Sequence, residues 1–134
     1  MAAAGSKAAL LALACAACTS IAADARTFEN THWRVTAVNG RATPANGDYS
    51  LSFEGGRIGA RFGCNSIGGR YRVIGDALAV SQLVSTMMAC GEPADSFEHS
   101  GSAILNSRMR MYWSSSQRLT LSNGGGSIAL ELLP

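Results

Sequence analysis

Along most of the chain apolar residues alternate with polar ones, in short runs closed by glycine, asparagine or aspartate. A period of two marks half-buried strands. In residues 32–38, Trp33, Val35 and Ala37 share one face, and Asn39-Gly40 ends the run. A polar loop through Pro44, Asn46 and Gly47 leads to residues 49–54, where Tyr49, Leu51 and Phe53 share a face. Glu54-Gly55-Gly56-Arg57 is a hairpin signal, with two glycines able to take positive φ. The return strand, residues 57–62, directs Ile58, Ala60 and Phe62 inward. Residues 63–69 read as a connection and 70–74 as the next strand. Gly75-Asp76 turns into residues 77–84, where Leu78, Val80 and Leu83 pack.

The period changes after Cys90. Phe97, Ile104 and Leu105 stand at i, i+7 and i+8, one face of a helix, and Glu92, Pro93 and Asp95 suit its first turn. Gly101 and several serines weaken that helix, so it depends on packing against a sheet. Alternation resumes from Arg110 with Met111 and Trp113, then Leu119 and Leu121, then Ile128, Leu130 and Leu132. Residues 114–117 and 123–127 are the intervening turns. The pattern predicts an α+β fold: a small, mostly antiparallel curved sheet or barrel of about seven or eight strands with one inserted helix.

The first 25 residues stand apart from this pattern. Lys7 is the only charged residue before Asp24, and residues 8–17 are an unbroken run of Ala, Leu and Cys. The run has the length of a signal-peptide core and is too short to span a bilayer. Ala23-Asp24-Ala25 offers small residues at the two positions a signal peptidase reads, which makes Arg26 the expected mature start. The rival is a lipoprotein signal ending before Cys15 or Cys18, each preceded by alanine, with the cysteine acylated. Either way residues 26–134 form a single domain, exported to the periplasm or anchored at the outer membrane.

Composition adds little about partners. The net charge is +2, too small to fix a strong preference. Every cation after Lys7 is arginine, which holds planar anions in bidentate fashion, although a base-composition bias in the gene gives the same pattern without function. Cys64 and Cys90 form an even, isolated pair, read as one disulfide in an exported chain, with two buried free thiols as the alternative. The bridge would contribute ~3 kcal/mol by restricting the unfolded chain. His32 and His99 lie at no ligand spacing, so neither a metal nor another cofactor is expected.

The residue types of catalysis occur in poor arrangements. Asp95 and Glu98, one turn apart, read as solvated acids at a helix start. Asp95, His99 and Ser100 have triad chemistry but share two turns of one helix, and there is no Gly-x-Ser-x-Gly elbow. Residues 124–126 lie between two strands and read as a hairpin loop, not a phosphate cradle. Gly63, Gly68 and Gly69 read as turn glycines beside Cys64, and Met87, Met88, Met109 and Met111 as core fillers. The surface feature that stands out is Arg57, Arg61, Arg70 and Arg72. Strand alternation sets all four opposite the apolar face, so paired strands would carry them on one side.

Trp33, Gly63-Cys64-Asn65, Gly69 before Tyr71, Thr86-Met87-Met88-Ala89-Cys90 and Leu119-Thr120-Leu121 occur in that order. In this ordered set the chain resembles the META-domain family, which includes the HslJ-type bacterial envelope proteins. The resemblance runs over residues 31–133, with Gly63, Cys64, Asn65, Thr86, Met88 and Cys90 as its motif positions. Family members often carry a charged residue where this chain has Met87. The resemblance implies a compact fold of mostly antiparallel strands in an exported or lipid-anchored protein, with an association with heat or other envelope stress for some members. It carries no catalytic residue over. The expected function is therefore non-enzymatic: a monomeric envelope protein that binds a protein or lipid, and no nucleic acid. The alternative is a small-molecule or lipid carrier whose curved sheet encloses an apolar pocket lined by Phe62, Met88 and Trp113.

Overall fold

The computed structural model describes residues 28–134. Its elements are β1 (Thr31–Val38), β2 (Arg41–Ala42), β3 (Tyr49–Glu54), β4 (Arg57–Phe62), β5 (Ser66–Ile74), β6 (Ala77–Ser85), α1 (Ala94–Leu105), β7 (Met109–Ser115), β8 (Arg118–Asn123) and β9 (Gly126–Leu132). The strands lie antiparallel in the order β2-β1-β3-β4-β5-β6-β7-β8-β9, and β9 pairs back onto β1. Eight strands therefore close a barrel and β2 adds a ninth strand along the end of β1. This is the α+β architecture that the alternation predicts. The candidate signal peptide, with Cys15 and Cys18, lies outside the described residues.

Closure hides the sheet edges and turns one face of every strand into a common interior. Trp33, Val35, Leu51, Phe53, Phe62, Leu119, Leu121 and Ile128 are buried there, with Ile58 and Ala60 beside them. The turn at Asn39-Gly40 has positive φ at both residues, 53° and 78°, and folds β2 back so that Ala37 faces Ala42. An Asn-Gly pair is suited to that geometry. Alternation alone ended β1 there but did not reveal the two-residue partner.

The helix packs against β1, β4 and β9 and buries Phe97, Ile104 and Leu105. Phe97 meets Tyr49 edge-on at 5.4 Å, and the Arg41 guanidinium lies 4.3 Å from its ring centre. Gly101 is not a flaw in this helix. A Cβ at that position would overlap the Phe62 ring, so the missing side chain is what lets α1 approach β4. A second aromatic cluster joins Phe28, Trp33, Phe53, Tyr71 and Trp113, with centroids 4.6–6.4 Å apart. Trp113, expected inward with Met111, is exposed at the rim of this cluster, next to a register shift between Trp113 and Ser115.

Three local expectations are corrected. β5 begins at Ser66, so the connection is only residues 63–65, and Gly68 and Gly69 belong to a strand. Of the three glycines only Gly63 has positive φ, 99°. Gly69 serves a close approach instead, because a Cβ there would stand 2.8 Å from the Ser81 carbonyl where β6 bulges at Gln82. Met109 and Met111 are core residues, whereas Met87 and Met88 are 90 % and 59 % exposed. They follow the end of β6, and the loop that carries them is held through its backbone rather than through their side chains.

Candidate functional site

The Gly-Cys-Asn and Thr-Met-Met-Ala-Cys segments meet, and what they build is a brace. Asn65 is only 2 % exposed and spends its side chain on the 86–90 loop and the helix. Its Oδ1 accepts from the Met88 N–H at 2.7 Å and the Thr86 hydroxyl at 2.9 Å. Its Nδ2 donates to the Met88 carbonyl at 3.0 Å and to Glu98 at 2.8 Å. Glu98 also accepts the Asn65 backbone N–H at 3.0 Å, and Asp95 accepts from the backbone N–H groups of Gly91 and Cys90 at 3.1 and 3.4 Å. Cys64 and Cys90 pair as a disulfide beside Asn65, with Cα atoms 6.2 Å apart, a spacing disulfide geometry allows.

This brace corrects the reading of Glu98 as a solvated acid, whereas Asp95 is, as expected, an exposed acid in the first turn of the helix. Glu98 accepts the backbone N–H and the side-chain amide of Asn65, and Asp95 the backbone N–H groups of Cys90 and Gly91, a use that needs an anion at a fixed place and no proton transfer. Among the described residues, no side-chain hydrogen bond links Asp95, His99 and Ser100 to one another. Glu29 is a comparable clamp elsewhere. It accepts from Gly55 and Gly56 at 2.7 and 2.9 Å and from the Tyr71 hydroxyl at 2.5 Å. The Tyr71 hydrogen bond, then those from Gly56 and Gly55, hold the Glu29 carboxyl below its ordinary value. Burial, then the same hydrogen bond, pushes the Tyr71 phenol well up.

The arginines lie as strand alternation requires, on the outer face of β4 and β5. Arg57 stands directly opposite Arg70 in the register, and Arg72 follows two residues along β5. All three are exposed, and none has an acidic oxygen within 4 Å among the described residues. Like charges facing each other across a strand pair destabilise the sheet, an effect offset in part by Glu54, which stands opposite Arg57 on β3. Arg61 is separate: it pairs with Ser66 across Gly59 and Gly68, and its guanidinium sits 3.5 Å from Asp48. Sequence reasoning thus placed four arginines on one face, and the structure brings three of them together.

Phe62, Met88 and Trp113 do not come together around a cavity. Phe62 lies fully buried under α1, Met88 is exposed on the brace, and Trp113 belongs to the aromatic rim. The outer face also carries residues that the sequence did not single out. Two adjoining grooves meet at Gly59, one of about 230 Å³ running to Asp48, Ser50 and Ser52, the other of about 510 Å³ running to Gly68, Val84 and Thr86. The signal was available: glycines at outward positions of two strands, and an uncharged run over residues 77–91.

No curated protein matches this chain. Two structures solved by NMR share the fold. One, a protein from Burkholderia xenovorans, is 21 % identical with a TM-score of 0.67, over 81 % of this chain and 86 % of that one. The other is 20 % identical with a TM-score of 0.68, over 77 % and 89 %. The sequence profile of the META domain matches residues 26–132, which takes in every strand and the helix. The chain belongs to the META domain family.

Proposed function

We propose that this protein is a non-enzymatic, exported component of the bacterial envelope that holds an anionic partner on the outer face of β4 and β5. The observation that carries the proposal is Arg57 opposite Arg70, with Arg72 alongside and no acid within 4 Å of any of them among the described residues. Guanidinium groups so placed have unused donors in the fork geometry that phosphate and carboxylate oxygens accept. Export is supported by the N-terminal run of Ala, Leu and Cys and by the Cys64–Cys90 pairing, and a part in envelope stress by the family resemblance.

Co-sedimentation with vesicles tests the reading. The mature protein is expected to bind phosphatidylglycerol-containing vesicles over pure phosphatidylcholine, with binding weakened by salt. Arg57→Glu combined with Arg72→Glu should leave folding intact and lower the bound fraction severalfold. Unchanged binding by the double variant would remove the arginine face from the account.

A further inference from the structure

Gly68 has no reason within the fold to be glycine. Its φ is not positive, and a Cβ there would have only the Ile58 carbonyl oxygen as a neighbour, at 3.9 Å. Glycine inside a strand weakens it, and often marks a place where a ligand approaches the backbone closely. Gly68 points outward, directly opposite Gly59 on β4 and Val84 on β6, and Gly59 faces Ser52 on β3. The row Ser52–Gly59–Gly68–Val84 therefore crosses four strands with no side chain at its two central positions. One flank of this trough is the Arg57–Arg70 pair, the other Arg61 with Ser66. Val84, 67 % exposed, walls one end. From Gly59 to Val84 the apolar part of the trough spans two strand spacings, about 10 Å.

We propose that this trough seats one acyl chain of an anionic phospholipid whose phosphate is held by Arg57 and Arg70. The inference rests on the anionic-partner reading and names the partner. The glycine floor and the exposed Val84 offer apolar contact toward β6, whereas the β3 end carries the Ser52 hydroxyl and leads to Ser50 and Asp48. The arginine row runs beside the two glycines, so it supplies donors for the phosphate of a lipid whose chain runs from there toward Val84. An inorganic or sugar phosphate would use the arginines but leave the trough without an occupant.

Isothermal titration of the full mature chain with monomeric dihexanoylphosphatidylglycerol tests this, with glycerol 3-phosphate and dihexanoylphosphatidylcholine as companion probes. Gly68→Val is the decisive variant, because Cβ has room and valine suits a strand, so the fold is kept. Circular dichroism and the melting temperature check that it is. The expected result is binding of the anionic lipid about tenfold or more tighter than glycerol 3-phosphate, with Gly68→Val removing that difference. Glycerol 3-phosphate binding should be the same in both proteins. Equal lipid binding by Gly68→Val and the parent, or glycerol 3-phosphate as tight as the lipid, would overturn the trough while leaving the arginine face standing. Displacement of the lipid by hexaglutamate with equal strength in both proteins would overturn it in favour of an acidic protein. Absence of binding by every anionic probe and by anionic vesicles would overturn both readings.

Discussion

The side chain of Asn65 holds Met88 by both of its backbone groups, accepting from the N–H at 2.7 Å and donating to the carbonyl at 3.0 Å. One amide thus fixes a loop whose own side chains face solvent. Asn65→Ala removes both bonds and leaves Glu98 without one donor. The expected cost is about 2–4 kcal/mol, read from urea denaturation, with faster proteolysis within residues 86–90. Asn65→Asp sets a second carboxylate against Glu98, so its deficit should shrink as pH falls through the carboxylate range. A variant as stable as the parent would mean that the brace is not what holds the loop.

Cys64 and Cys90 are expected to be joined in the exported protein. Alkylation without reductant should leave both unlabelled, and reduction should lower stability by ~3 kcal/mol. Labelling of both thiols would contradict the pairing and weaken the case for an oxidising compartment.

Gly101→Ala should destabilise the protein, against the usual gain of about 1 kcal/mol for alanine over glycine in a helix. The added methyl falls on the Phe62 ring, and overpacking of that kind costs about 1–3 kcal/mol. A rise in melting temperature would show that α1 shifts freely away from β4.

That contrast shows how far the sequence could be read. Alternation identifies the inward residues of β3, β4 and β8, because one face of each strand is buried and the other is wet. Helical spacing likewise identifies Phe97, Ile104 and Leu105. Glycine has no side chain to alternate, so Gly101 beneath a ring, Gly69 under a carbonyl and Gly68 in an open trough look alike in one dimension. Met87 and Met88 mislead for a related reason: their place is set by hydrogen bonds to their backbone, which residue type does not encode. The arginine face was legible because a period of two fixes sides. Which arginines meet depended on the β4–β5 register, which places Arg57 against Arg70 and leaves Arg61 to Asp48.

Glu29 gives the fold an acid limit. Its carboxyl is held below the ordinary range by donors from Tyr71, Gly56 and Gly55, so its stabilising effect is present above the unfolded-state value. The effect is lost as pH falls through the lower folded-state value. Glu29→Gln should therefore melt at a lower temperature at pH 7 and show a flatter decline below about pH 4 than the parent. Parallel melting curves for the two across that range would exclude Glu29 as the source.

The central claim is that a local arginine cluster, not overall charge, binds an anionic partner. Vesicle titration of the parent, Arg57→Glu/Arg70→Glu and Arg118→Glu/Arg110→Glu tests it directly, since the last pair carries the same charge change on strands outside β4 and β5. The account predicts severalfold weaker binding to phosphatidylglycerol vesicles for the first double variant and near-parent binding for the second. Equal losses in both would contradict it, leaving net charge as the whole of the attraction.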